Sequence, residues 1–98
     1  MQHYLLMYHL KSDYLERRSQ FRDAHLALAK EAVAAGDLVI GGALAEPADM
    51  AILMFKGESP AVAEGFAQGD PYVLNGLVER WEVRRWTTVV GEDAAQPV

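Results

Sequence analysis

Two short stretches of this chain are apolar on both of their faces. In Tyr4-Leu5-Leu6-Met7-Tyr8, residues 4, 6 and 8 point one way and residues 5 and 7 the other. In Ala51-Ile52-Leu53-Met54-Phe55, Ile52 and Met54 oppose Ala51, Leu53 and Phe55. Both are too brief for a helix and rich in strand-forming types, so they read as strands whose side chains alternate across the sheet. A sheet built from them buries both surfaces, unlike an antiparallel sheet with one wet face.

The rest of the chain supplies cover for one surface only. Tyr14 to Ala35 reads as a single helix. On a 100° wheel, Tyr14, Arg18, Phe21, His25, Leu28, Ala29 and Ala32 share one side, while Glu16, Ser19, Gln20, Asp23, Lys30 and Glu31 lie opposite. Ser12 or Asp13 is placed to cap it, and Gly36 to end it. Leu38 to Leu44 is a second strand, whose Gly41-Gly42 pair implies a bulge or a close backbone approach. Glu46-Pro47-Ala48-Asp49 is turn chemistry, and Met50 to Phe55 completes a hairpin. Ser59 caps a second helix with Pro60 at its first position, running to Gly69. Asp70 caps one further turn, Pro71 to Asn75, closed by Gly76, and a last strand spans Val78 to Val90 with Trp81 and Trp86 on opposite faces.

The order β-α-β-β-α-β predicts an α+β, ferredoxin-like fold with a four-stranded antiparallel sheet and both helices on one face. The second apolar face then needs another cover. The same face of a second copy is the simplest one, which predicts a homodimer forming a dimeric α/β barrel. Residues 1–90 are expected to be the single domain and residues 91–98, acidic and small, a flexible C-terminal tail.

Bulk properties exclude several functions. The chain has 98 residues, a formal charge of −5 and no cysteine. That size suits one core. The acidic balance argues against nucleic acid as a partner. Arg80, Arg84 and Arg85 are interleaved with Glu79 and Glu82, as on a solvated strand edge. No apolar run approaches the ~20 residues of a membrane span. Met1 to Leu10 holds His3 and His9 and lacks a basic leader, so it does not read as a signal peptide, and a cytoplasmic location is expected.

Two residues carry chemistry. His25 lies at the centre of the long helix's apolar stripe, where an imidazole needs hydrogen-bond partners or costs about 1–3 kcal/mol. It can exchange protons at physiological pH. Asp70 is the best carboxylate on offer. A helix cap bonded to backbone amides accounts for it fully, as does a role orienting His25 or acting as the base. Arg22 and Arg18, one and two turns before His25, could hold a carboxylate or enolate oxygen. Tyr8, Tyr14 and Tyr72 could line a pocket or serve as core aromatics. His3 and His9 sit roughly 20 Å apart at ~3.3 Å per residue and cannot share a metal. No residue set has metal-ligand spacing, and Gly41-Gly42 lies inside a strand, which excludes a phosphate cradle.

Arg22-Asp23-Ala24-His25-Leu26, the strand Gly41-Gly42-Ala43-Leu44, and Gly69-Asp70-Pro71-Tyr72 before Gly76-Leu77 together resemble the YciI-like (YCII-related) family, over Tyr4 to about Trp86. The resemblance implies a dimeric α+β barrel and a site of His25 and Asp70, with Arg22 from the R-x-x-H pattern. Arg18, Tyr8, Tyr72 and Gly42 are the further expected substrate contacts. Many members carry Ser-Gly-Pro where this chain has Gly41-Gly42-Ala43, so that hydroxyl has no counterpart here. One member is a dehydrochlorinase acting on a hydroxylated aromatic ring. The expectation is a cofactor-free acid–base enzyme, of isomerase, lyase or dehydrochlorinase type, on a small cyclic or aromatic organic acid. The alternative is a non-catalytic module that binds a small molecule in the same pocket.

Overall fold

The backbone of a computed structural model describes residues 1–98. Its elements are β1 (Gln2–Leu10), α1 (Tyr14–Ala34), β2 (Leu38–Ala43), β3 (Met50–Gly57), α2 (Ala61–Gly69), α3 (Pro71–Leu74) and β4 (Val78–Trp86). The four strands form one antiparallel sheet in the order β2-β3-β1-β4. This is the expected ferredoxin-like α+β plan.

Helix ends are set by local chemistry. At the C-terminus of α1, Gly36 takes φ +82°. Its N–H donates to Val33 O at 3.0 Å and that of Asp37 to Ala32 O at 2.9 Å, the paired bonds of a Schellman stop. Gly76 repeats the device after α3, with φ +75°, Gly76 N to Val73 O at 3.2 Å and Leu77 N to Tyr72 O at 2.9 Å. Asp13 occupies the N-cap of α1 but makes no side-chain cap bond, contrary to expectation. Its carboxylate faces Arg17 instead, at 3.9 Å. Helix α2 begins at Ala61, one residue after Pro60, with Ser59 Oγ accepting from Ala61 N at 3.3 Å.

Strand register sorts the apolar residues onto two faces. Tyr4, Leu6, Tyr8 and Leu10 of β1, with Leu53 and Phe55 of β3, are buried against Ala63, Phe66, Ala67 and Tyr72. On the opposite face Leu5 pairs with Met54 and Met7 with Ile52. These four are half-buried, and Ile40 and Trp86 are exposed, at 69% and 47%. Trp81 stands opposite Tyr8 and packs on the core, so the two tryptophans do face opposite ways.

Strand β4 stops at Trp86 rather than Val90, because pairing with β1 ends at His3–Trp86. Beyond it Thr88 turns to other partners. Its hydroxyl bonds His3 Nδ1 at 2.7 Å, and its carbonyl accepts from Gln96 N at 2.9 Å. Val98 N reaches Val89 O at 3.0 Å, and Gln96 Nε2 donates to Gln2. Residues 91–98 thus double back along the end of the sheet.

Candidate active site

Helix α1 roofs the β2–β3 side of the sheet without settling onto it: Tyr14 is its only fully buried residue. Phe21, Leu28 and Ala32 of the predicted stripe touch the core. Beside them a cleft of about 300 Å³ opens between α1, β2, β3 and Tyr72. His25, Arg18 and Ala29 of the same stripe line it, with Arg22 from one turn before His25.

Asp70 is the anchor. It is fully buried, and its position follows from the shortest helix in the chain. Pro71 starts α3 with a fixed φ and no amide to satisfy, and Oδ1 of Asp70 accepts the N–H of Tyr72 at 3.0 Å. The capping role read from the sequence is real, and it leaves lone pairs over. Oδ2 accepts the Tyr8 hydroxyl at 2.7 Å. His25 Nδ1 lies 2.8 Å from Oδ1 and 3.0 Å from Oδ2. Three elements distant in sequence therefore converge on one carboxylate, and their donors replace the water it has lost.

Tyr8 can only donate here. Burial, then the charge of Asp70, then the hydrogen bond to it raise its phenol far above the ordinary tyrosine range. A carboxylate is acceptor-only, so the His25 tautomer consistent with this network carries its proton on Nδ1. Nε2 is left with no partner in the chain, on a residue that lines the cleft. The ring is held flat on Tyr72, with centroids 3.9 Å apart and planes within 8°. Phe66 meets it edge-on at 6.3 Å. Tyr72 in turn packs edge-to-face with Tyr14 at 5.7 Å. Burial pushes the Tyr72 phenol up to about 12, with Tyr14 adding to the rise and Arg22 and Arg18 opposing it.

The charged residues around the cleft are all cations: Arg18, Arg22 and Lys30. None of them is in an ion pair, although Arg18 lies over the Tyr14 ring at 5.5 Å. Their neighbour Arg17 is engaged elsewhere, donating to Asn75 O at 2.8 Å and Gly76 O at 3.4 Å, which ties α1 to the end of α3. Lys30 was expected on the polar side of the helix. It stands about 120° from Arg18 at 100° per residue, on the outer lip of the cleft.

The other candidates divide. Tyr72 and Tyr8 border the cleft, but Tyr8 has no exposed surface and its hydroxyl is committed to Asp70, so the structure does not present it for contact with a bound molecule. Gly42 borders the cleft through its backbone. It pairs with Ile52, so its side-chain direction is the open face of the sheet. Gly41, opposite Leu53, faces the helices, and a Cβ there would lie 3.0 Å from Leu53 Cγ. That is the close approach read from the glycine pair. The bulge lies earlier, between Leu38 and Ile40. His3 and His9 belong to the far face, His9 bonded to Glu82 at 3.2 Å. No group of three or more His, Asp or Glu side chains is placed to hold a metal ion.

Residues 1–87 match the YCII-related domain. Among solved structures, the chain is similar to 5-chloro-2-hydroxyhydroquinone dehydrochlorinase from Burkholderia phenoliruptrix in complex with 2,5-dihydroxybenzoquinone. The TM-score is 0.74 at 22% identity, over 88% of this chain and 94% of that one. An Agrobacterium tumefaciens protein of known structure matches at TM-score 0.59 and 15% identity, over 97% and 98% of the two chains. A NIPSNAP family protein from the same organism matches at TM-score 0.56 and 17% identity, over 95% of each. At these identities the likeness establishes the fold. No curated protein matches.

Proposed function

The chain belongs to the YCII-related domain family, and from that premise we propose that it is a cofactor-free acid–base enzyme acting on small cyclic or aromatic organic acids. The observation that carries this is the His25–Asp70 pair. One ring nitrogen is fixed on a buried carboxylate 2.8 Å away, while the other is unpartnered beside an open cleft. That is how a general base is oriented. It also separates the roles. Asp70, saturated by three donors and without exposed surface, orients His25, and the proton moves at His25 Nε2.

In this reading Arg22 and Arg18 hold the substrate's anionic oxygen, and Tyr72 offers an aromatic shelf. His25 removes a proton next to a carbonyl or hydroxyl-bearing carbon. The freed electron pair forms the new double bond, and either a proton returns elsewhere, giving isomerisation, or a leaving group such as halide departs with its bonding pair. The dehydrochlorinase that shares this fold was solved with a flat oxygenated ring, the shape this cleft would accept between Gly41, Leu53 and the α1 roof.

The proposal includes the particle. Residues 1–90 act as one domain in the cytoplasm, and two copies pack open sheet face to open sheet face. Supporting the pairing are Leu5, Met7, Ile52 and Met54, half-buried in one chain, with Ile40 and Trp86 exposed beside them on the same face. No helix is long and apolar enough to cross a membrane.

Turnover against a panel of hydroxylated and halogenated aromatic acids and lactones tests it. His25→Ala should lower the rate by ~10²–10⁴-fold, the usual worth of a positioned proton-transfer group, while ligand still binds. Unchanged turnover in that variant would remove the enzyme reading. Ligand binding with no turnover across the panel in the unmodified protein would favour a binding module.

A further inference from the structure

Tyr8 borders the cleft but has no exposed surface, and its hydroxyl goes not to the cleft but to the imidazole's own acceptor. Its hydroxyl is 2.7 Å from Asp70 Oδ2, and His25 Nδ1 is 3.0 Å from that same oxygen. Two donors therefore compete for one carboxylate, with the backbone N–H of Tyr72 as a third. Each hydrogen bond a carboxylate accepts stabilises its charge and weakens its attraction for the other donors.

We propose that Tyr8 is a positioning residue that attenuates the pull of Asp70 on His25, and so sets the pH at which His25 Nε2 becomes available as a base. The catalytic part of this rests on the acid–base reading above; the Tyr8–Asp70–His25 coupling does not. Tyr8 stands in the middle strand of β3-β1-β4 and is buried. The sheet itself thus holds the donor in place, while His25 approaches from α1 and Asp70 from the cap of α3. The other ionisable groups bordering the cleft are Tyr72 from α3 and Tyr14, Arg18, Arg22 and Lys30 from α1. β2 and β3 contribute none. Of all these, only Tyr8 bonds the carboxylate through a side-chain hydroxyl, so its removal changes that carboxylate without altering the cations.

The test is NMR titration of the His25 ring in the ligand-free protein. In Tyr8→Phe the ring volume stays and the donor goes, so Asp70 is more negative toward His25. Its titration midpoint should move to higher pH by roughly half a unit to one unit relative to the unmodified protein. In Tyr8→3-fluorotyrosine, a more acidic phenol donates more strongly, and the midpoint should move to lower pH. A side chain that merely fills space would lower stability and leave both midpoints in place. Midpoints unchanged within ~0.2 unit, or moved the same way by both variants, overturn the proposal. If Tyr8→Phe does not fold, the fluorinated variant alone decides, by the direction of its shift. Where turnover is measurable, the acid limb of kcat/KM should follow these shifts with KM for the ionised substrate unchanged. If the NMR midpoints move and no turnover exists, the coupling stands and the enzyme reading falls.

Discussion

Replacing Asp70 separates its structural work from its chemical work. In Asp70→Ala three donors lose their acceptor: the Tyr8 hydroxyl, the Tyr72 N–H and His25 Nδ1. His25 keeps partial access, its side chain being 14% exposed, and can turn to water. The other two are buried, and an orphaned buried donor costs ~1–3 kcal/mol, a figure that for Tyr72 contains the lost helix cap. Relief of the carboxylate's own burial offsets part of this, leaving about 3–4 kcal/mol. At ~4–8 °C per kcal/mol for a domain of this size, Tm should fall by on the order of 15–25 °C. Asp70→Asn behaves differently. The bonds from Tyr72 N and the closer one from His25 both fall on Oδ1, so an amide oxygen can keep them while its NH₂ donates to Tyr8. Only charge assistance is lost, about 1 kcal/mol. Urea unfolding of both variants at one pH checks this. An Ala variant within ~1 kcal/mol of the unmodified protein, or an Asn variant as unstable as Ala, refutes the network.

Raising the pH should destabilise the fold from about 10 upward, because Tyr72, pushed up to about 12, holds its proton when folded and loses it at its ordinary value when unfolded. The unfolded state then binds fewer protons, so stability falls with pH across that window, and Tyr8, raised further, adds to the fall; unfolding midpoints at pH 9 and 11 report it. Gly41→Ala drives a Cβ to 3.0 Å from Leu53 Cγ, a flexible but buried side chain. The shift should cost about 1 kcal/mol and narrow the cleft, seen as a lower Tm and weaker binding of ring acids. Ile52→Lys, on the face turned from the helices, should leave the monomer fold intact by circular dichroism and abolish a two-copy mass by ultracentrifugation. Lys30→Met should weaken anionic ligands by a few-fold, with neutral analogues unaffected, measured by calorimetry.

The order of elements was legible because most boundaries have a local cause: glycines at positive φ after α1 and α3, Asp-Pro before α3, and short runs apolar on both faces in β1 and β3. His25 and Asp70 were legible as types out of place, a titratable ring in an apolar stripe and a carboxylate heading a turn. The bond from Tyr8 to Asp70 was not legible, since the two are 62 positions apart and only strand packing shows which tyrosine meets the carboxylate. Lys30 is exposed, as the wheel placed it; that its position is also the lip of a cleft was not legible, because a helical wheel assumes one buried side and α1 has a core side and a cleft side. The end of β4 was misread because apolar Val89 and Val90 continue the pattern, while His3 and the tail compete for Thr88.

The double employment of Asp70 bears on how relatives should be read. Even without the proton chemistry proposed above, a chain folded this way needs an oxygen to begin its final short helix and to accept from a tyrosine in its sheet. Retention of that position therefore says little about activity. His25 caps no helix, so its position bears more directly on the activity proposed above.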